Sequence, residues 1–199
     1  YLCTPRTGPD SNLTLAQDRG IPAATAADDS GLALLRRHLA TSSLVIDAVL
    51  GTGKVRPIEG RLRDILLLVA EPRRRQGTPV VAVDLPTGLD ADTGAVDPAC
   101  PGADITVALG YPKVGHFTFP GASMTGQLEI VDIGLPAGLD GGISLELVTP
   151  ELVRSLLPPR PLEAHKGSFG RLLVVAGSRR YVGATFLACS GAYRAGAGL

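Results

Sequence analysis

The stretch that decides the fold is VVAVDLPTGLDADTG, residues 80–94. A short apolar run ends on Asp84, and a proline, a threonine and a glycine follow at once. A continuous apolar run bounded by turn residues is typical of a strand buried on both faces of a parallel sheet. The acid that ends it is either a turn cap, which accepts hydrogen bonds from the amides of residues 85–88, or a functional group held at the sheet edge.

Composition limits the kinds of partner that the protein has. The chain has 199 residues, of which 45% are apolar, and its formal net charge is zero. A neutral chain of this size forms a real core and argues against nucleic acid or an anionic membrane as the main partner. No apolar run approaches the ~18 residues of a membrane span. Three widely spaced cysteines indicate free thiols in a reducing compartment, so we expect a cytoplasmic protein.

The segments around the opening stretch predict one parallel βαβ unit. Residues 43–50 and 78–84 are rich in Val, Ile and Leu and predict strands. Between them, residues 58–70 repeat apolar side chains at helical spacing, and we expect Pro72 and Gly77 to end this helix. Parallel strands joined by a helix form the repeating unit of open α/β sheets.

Further strands are predicted on the C-terminal side. Residues 103–110 and 126–135 read as two more strands of the same sheet. Residues 171–178 predict a strand that opens a second strand–helix unit. The pattern therefore predicts an α/β fold with an open, mainly parallel sheet and flanking helices.

Candidate functional residues follow the strand ends. Asp47 and Asp84 both lie at the predicted carboxyl edge of the sheet, where open α/β sheets bind ligands. Asp47 stands inside an apolar run, so its charge needs a partner. The glycines of residues 51–53 bring backbone amides against a phosphate or form a plain tight turn. Lys113 faces the same edge or, as we consider more favoured, is a solvated loop lysine.

Four segments in series resemble the second half of the NAD(P)H-hydrate epimerase domain. They are DAVLGTG (47–53), VVAVDLPTGLDADTG (80–94), ADITVALGYPK (103–113) and GQLEIVDIGLP (126–136). Residues 165–199 resemble the start of the ADP/ATP-dependent NAD(P)H-hydrate dehydratase domain. In this order the segments are similar to the bifunctional NAD(P)H-hydrate repair enzymes.

The resemblance implies a division of the chain. Residues 1–145 would form the C-terminal part of a Rossmann-like epimerase domain, and residues 146–164 a helix with a Pro-rich linker. Residues 165–199 would form the first strand–helix portion of a ribokinase-like dehydratase domain. The family also has an Asn-Asn-Gly-Gly-Asp segment upstream and a Gly-Thr-Gly-Asp segment downstream. Neither occurs here, so the resemblance implies a fragment with incomplete sites.

The resemblance also implies the chemistry. In the damaged cofactor, water has added across the C5–C6 double bond of the reduced nicotinamide and left a hydroxyl on C6. The epimerase interconverts the R and S forms of this hydrate, and the dehydratase removes the water from the S form with ADP or ATP and Mg²⁺. Two alternatives stay open: a nicotinamide-dependent dehydrogenase on a doubly wound sheet, and a non-catalytic nucleotide-binding module. A homo-oligomer also stays open.

Residue by residue, the resemblance implies two roles, potassium ligand and hydrate contact. It implies a potassium ion at Asp47 and Thr87, and it implies that Asp84 contacts the hydrate. Our mechanistic hypothesis makes Asp84 the proton-transfer group that protonates the leaving hydroxide and activates the returning water. The remaining predicted contacts with the hydrate are Gly51, Thr52, Gly53, Lys54, Val55, Arg56, Pro57 and, in the second domain, Ala184. For Ala184 the alternative is a small residue that packs the helix start against the preceding strand.

Overall fold

The computed structural model describes residues 1–3, 8–53, 56–136, 138–139 and 141–198. The chain divides into two compact units, residues 1–140 and 141–199. The predicted domain limits at residues 145 and 164 stay predictions. In the described ranges, no helix is long and apolar enough to cross a membrane.

The first unit is built on a four-stranded parallel sheet whose strands lie in chain order. The strands are β1 (Val45–Asp47), β2 (Val80–Val83), β3 (Ile105–Leu109) and β4 (Gln127–Val131). Each neighbouring pair is parallel. The predicted Rossmann-like α/β fold is therefore confirmed, with β1 shorter than the predicted strand over residues 43–50.

Four helices and one 3₁₀ turn accompany the described part of this sheet. They are α1 (Ser11–Asp18), α2 (Ala33–Thr41), α3 (Gly60–Gln76), the 3₁₀ turn Val114–His116 and α4 (Ala122–Thr125). Helices α2 and α3 bury Leu35, Leu39 and Ile65 in one cluster, and Val45 of β1 packs against it. Burial of such aliphatic side chains contributes ~1.5–3 kcal/mol each, so this cluster fixes the helices to the sheet.

The end of α3 differs from the prediction. Pro72 lies inside the helix and does not end it; Gly77 caps it in the left-handed conformation, with a φ of 70°. Proline removes one backbone donor from the helix. The next residue makes contacts outside the helix, since the Arg73 guanidinium donates to the carbonyls of Pro101 and Ala103. These contacts hold the last turns of α3 against the loop that precedes β3.

The register of the sheet brings the two candidate acids to one edge. Asp47 pairs with Ala82 in the β1–β2 register, two residues before Asp84. The side chain of Asp47 therefore lies on the same face of the sheet as that of Ala82, which is fully buried. Both acids lie where their strands end, as the sequence predicts.

The second unit contains two described helices, α5 (Pro150–Leu156) and α6 (Gly183–Ala195). The Thr149 hydroxyl caps α5 by accepting from the Leu152 amide at 3.2 Å. The strand predicted over residues 171–178 is wrong, because these residues have no regular structure. A strand requires a neighbour that accepts its ladder of hydrogen bonds, and the described residues of this unit offer none. The ribokinase-like assignment stays a prediction.

Candidate active site

Asp84 leaves the sheet in an unusual backbone conformation. Its φ is +69°, in the left-handed region that side chains other than glycine rarely adopt. Its amide still donates to the Val107 carbonyl at 2.8 Å, so the residue extends the β2–β3 ladder before the chain turns. Such conformations cost ~1–3 kcal/mol and cluster at functional sites. The turn therefore aims the Asp84 side chain at a cost that the surrounding contacts must offset.

The Asp84 carboxylate binds β3 and the loop after it. Its Oδ1 accepts from the Leu109 amide at 3.1 Å and forms an ion pair with the Lys113 ammonium. The Lys113 side chain is 18% exposed and that of Asp84 16%, so the pair is largely shielded from water. The turn-cap alternative for Asp84 and the solvated-loop alternative for Lys113 are both wrong.

His116 contacts the backbone of both members of this pair. It was not identified from the sequence as a site residue. It is only 3% exposed, and its Nδ1 accepts from the Lys113 amide at 3.1 Å. An amide can only donate, so the ring proton is on Nε2, which donates to the Asp84 carbonyl at 3.0 Å. Burial lowers the pKa of His116, and the nearby Lys113 charge lowers it further. The one signal in the sequence is its position three residues after a lysine that follows a strand.

Asp47 and Thr87 form a second, closed pair at the same sheet edge. Asp47 is 3% exposed and Thr87 fully buried. The Thr87 hydroxyl donates to Asp47 Oδ1 at 2.6 Å, and the Thr87 amide donates to Oδ2 at 2.8 Å. The expectation that the Asp47 charge needs a partner is thus confirmed. The pair also joins the end of β1 to the Pro-Thr-Gly turn.

The donor set of this pair suits a hard cation of low charge. Carboxylate and hydroxyl oxygens are the ligands such cations prefer. Among the described residues, Asp47 Oδ2 has one donor, the Thr87 amide, which leaves a lone pair for a cation. Among the residues that the structure describes, no three or more His, Cys, Asp or Glu side chains group to hold a metal ion.

The predicted substrate loop, residues 51–57, is tied down at both ends. The Leu50 amide donates to the Thr87 hydroxyl at 3.1 Å, and the Ile58 amide donates to Asp97 Oδ2 at 2.9 Å. Gly51 lies over the acid, because a Cβ built on it would be 3.9 Å from Asp84 Oδ2. The structure therefore brings Gly51, the first residue of the predicted loop, next to Asp84.

The other predicted contact residues divide by location. Lys54 and Val55 lie outside the described residues. Ala184 is the second residue of α6 and is exposed, in the other unit of the chain. Its role stays a prediction. Exposed members of the 51–57 loop are Gly51, Thr52, Gly53, Arg56 and Pro57.

The parallel sheet with its flanking helices defines a Rossmann-like α/β domain. At the carboxyl edge of this sheet, an acid, an ammonium group and the Asp47–Thr87 pair form a candidate proton-transfer site. Residues 9–115, more than half of the chain, match the family model described as YjeF-related protein N-terminus. The chain belongs to this family. The match includes Asp47, Asp84 and Lys113.

Three curated relatives of the chain carry the name bifunctional NAD(P)H-hydrate repair enzyme Nnr. The protein of Thermofilum pendens is 40% identical over 82% of this chain and 30% of its own length. The Moorella thermoacetica protein is 39% identical over 95% of this chain and 35% of its own length. The Escherichia coli protein is 35% identical over 78% of this chain and 30% of its own length. The resemblance noted from the sequence is confirmed, and the chain spans about a third of the length of these relatives.

One solved structure is a distant neighbour. The crystal structure of yeast ynu0 (YNL200c) is 18% identical, with a TM-score of 0.48 over 76% of this chain and 55% of that one. So distant a likeness supports no further conclusion.

Proposed function

We propose that this chain is part of a nicotinamide nucleotide repair enzyme and carries the proton-transfer edge of its epimerase site. The substrate is NADH or NADPH that is hydrated at C6, and the reaction exchanges the R and S forms. The observation that carries the proposal is the placement of Gly51 beside Asp84 Oδ2 in a chain of this family. The relatives' name supports the substrate class over the dehydrogenase alternative.

Asp84 carries the chemistry in this proposal. It gives a proton to the C6 hydroxyl, which leaves as water while the ring nitrogen's electron pair forms the C6=N bond. The resulting carboxylate then takes a proton from a water that adds to the opposite face of C6. General acid–base help of this kind is typically worth about 10²–10⁴ in rate. A rigid, partly shielded carboxylate suits both steps.

Asp47 and Thr87 would hold a potassium ion, and the donor chemistry described above fits one. When bound, the ion supplies positive charge beside the buried carboxylate and near the Pro-Thr-Gly turn. Both residues already fix the turn that follows Asp84 and the start of the substrate loop through Leu50. Their role in the reaction is to hold Asp84 and the start of the loop in fixed positions relative to each other.

The dehydratase half of the proposal rests on the relatives alone. The relative from Moorella thermoacetica matches 95% of this chain, so its likeness extends into the second unit. ADP or ATP with Mg²⁺ would be used there, with Ala184 near the hydrate. We also propose a cytoplasmic location. No catalytic step is assigned to described residues of this unit.

The test measures exchange of the two C6 epimers by NMR, using the product of the complete reading frame. We expect exchange in the parent protein and none above background in Asp84→Asn, which is nearly isosteric but cannot transfer the proton. Potassium chloride should sustain faster exchange than choline chloride. As a control, Arg75→Met removes an exposed charge within α3 that pairs with Glu71 and contacts none of the site residues named above, and it should keep the parent rate.

Each alternative has its own outcome in this experiment. Parent-rate exchange in Asp84→Asn would show that Asp84 is not the proton-transfer group. Binding of the hydrate without exchange in the parent protein would favour the non-catalytic nucleotide-binding module. Equal rates in potassium and choline would remove the cation from the proposal.

A further inference from the structure

The two oxygens of the Asp84 carboxylate have different surroundings. Oδ1 is occupied, since both the Leu109 amide and the Lys113 ammonium donate to it. Oδ2 receives no hydrogen bond from the described residues and is directed toward Gly51. The arrangement leaves Oδ2 as the oxygen that meets a molecule bound beside Gly51.

Lys113 is itself held at three points. Its Nζ donates to the Leu109 carbonyl at 3.2 Å in addition to Asp84, and its amide donates to His116. His116 returns to the Asp84 carbonyl, so Asp84, Lys113 and His116 form a closed ring of contacts. Lysine side chains are long and lose rotamer entropy when they are fixed. The contacts that order and shield the Lys113 ammonium must offset this entropy cost.

Close packing holds this ring of contacts against the segment 80–94. The Gly115 amide donates to the Ala91 carbonyl at 2.7 Å, and a Cβ at Gly115 would lie 2.1 Å from the Asp90 carbonyl oxygen. No residue but glycine fits at position 115 at this distance. The 3₁₀ turn that ends on His116, with Lys113 directly before it, is thus fixed to the loop that follows Asp84.

We propose that Lys113 is a positioning residue for Asp84, an inference that rests on the proposed epimerase function. Lys113 turns Oδ2 toward the substrate and places a positive charge beside the carboxylate that proton transfer creates. When Oδ2 gives its proton to the C6 hydroxyl, the C6–O bond breaks and its electron pair leaves with water. On return, the new C6–O bond forms and the water's proton goes to Oδ2. Lys113 keeps its own protons throughout.

The activity test separates charge from packing. In the product of the complete reading frame, Lys113→Met should lower kcat for epimer exchange by about 10²-fold, within the range of acid–base help, and leave KM within about threefold. Lys113→Arg, which keeps the charge, should retain at least about a tenth of the parent kcat. Propylammonium added to Lys113→Ala should restore part of the lost rate. Arg75→Met, which also removes one positive charge, should change nothing.

Opposite outcomes overturn the inference. Equal losses in Lys113→Met and Lys113→Arg with no amine rescue would mean that the pair is only structural. A rise in KM at unchanged kcat would mean that Lys113 binds the substrate. Circular dichroism and thermal unfolding show whether a variant loses activity because it misfolds. If Lys113→Met misfolds, amine rescue of Lys113→Ala decides whether the ammonium charge is needed.

A second measurement does not depend on activity. In the 199-residue chain labelled with ¹⁵N-lysine, the ammonium signal of Lys113 should be visible, since its hydrogen bonds slow proton exchange, and Lys113→Arg assigns it. Asp84→Asn should shift or remove this signal. An unchanged signal would show that the pair does not form in solution and would overturn the inference. Absence of epimer exchange in the parent protein would overturn the proposed function and leave this result standing.

Discussion

At the scale of single residues, the site depends on a strained backbone at Asp84 and on the groups that hold it there. The left-handed φ of Asp84 directs its carboxylate across to β3 instead of back onto its own turn. His116 stabilises this conformation through the Asp84 carbonyl, and the same ring fixes the Lys113 amide. His116 can do both only as the neutral Nε2–H form, because a protonated ring has no acceptor for that amide.

This requirement predicts a pH dependence of stability. Burial lowers the pKa of His116 from its ordinary 6.5, and the Lys113 charge acts in the same direction, while Asp84 opposes it in part. The unfolded chain therefore binds this proton at a higher pH than the folded chain. The contribution is fully present above pH 6.5 and is lost as pH falls from there through the folded-state pKa. The slope for one proton is at most about 1.4 kcal/mol per pH unit.

Urea unfolding between pH 5 and 8 checks this dependence. His116→Gln keeps one donor and one acceptor but does not titrate, so its free energy of unfolding should fall less steeply below pH 6.5 than that of the parent. The difference between the two proteins removes the contribution of the carboxylates, whose titration is common to both. Parallel curves for parent and variant would show that His116 does not titrate differently in the folded state.

At the scale of elements, the sequence pattern predicts the presence of helices and strands well and the positions of their ends less well. Strands β2, β3 and β4 and helix α3 were predictable because apolar spacing and flanking turn residues agree. The end of α3 was not, since Arg73, in its last turns, contacts residues about 30 positions away, which local spacing does not reveal. The Lys113–Asp84 pair was missed for the same reason, because its partners lie 29 positions apart.

The Arg73 contacts lead to a prediction for α3. Its Nε donates to both oxygens of Asp104, at 3.2 and 3.1 Å, and Nη1 and Nη2 reach the carbonyls of Pro101 and Ala103. These hydrogen bonds lower the pKa of Asp104. Asp104 also accepts from the Val80 amide at the start of β2, so the cluster joins α3 to two strands. Arg73→Met should lower the free energy of unfolding by roughly 1–3 kcal/mol.

A matched control lies two residues further along the same helix. Arg75 pairs with Glu71 at (i, i+4), but its side chain is 76% exposed. Arg75→Met should therefore change the free energy of unfolding by less than about 0.5 kcal/mol. Urea titrations at pH 7 measure both changes. If the two variants were equally stable, the contacts of Arg73 would contribute no more than a surface ion pair.

At the scale of the whole molecule, burial is distributed unevenly between the two units. The buried residues identified in the described part of the chain lie between Ala26 and Thr125, within the first unit. Neither α5 nor α6 buries a residue. A helix without a buried face gains little from tertiary packing, and helices shorter than ~12–15 residues are marginal alone in water. The candidate site therefore lies in the unit that has a core.

The last prediction follows from this contrast and concerns amide exchange in the 199-residue chain. Strands β2 and β3 are each paired on both sides, so their amides should exchange only through global unfolding and be the slowest in the protein. Amides of α5 and α6 should exchange through local fraying, at least about 10³-fold faster, because no packed side chains oppose their opening. Hydrogen–deuterium exchange followed by mass spectrometry at pH 7 resolves both regions. Protection of residues 183–195 equal to that of residues 80–83 would show that α6 is packed in solution and that the second unit has a core of its own.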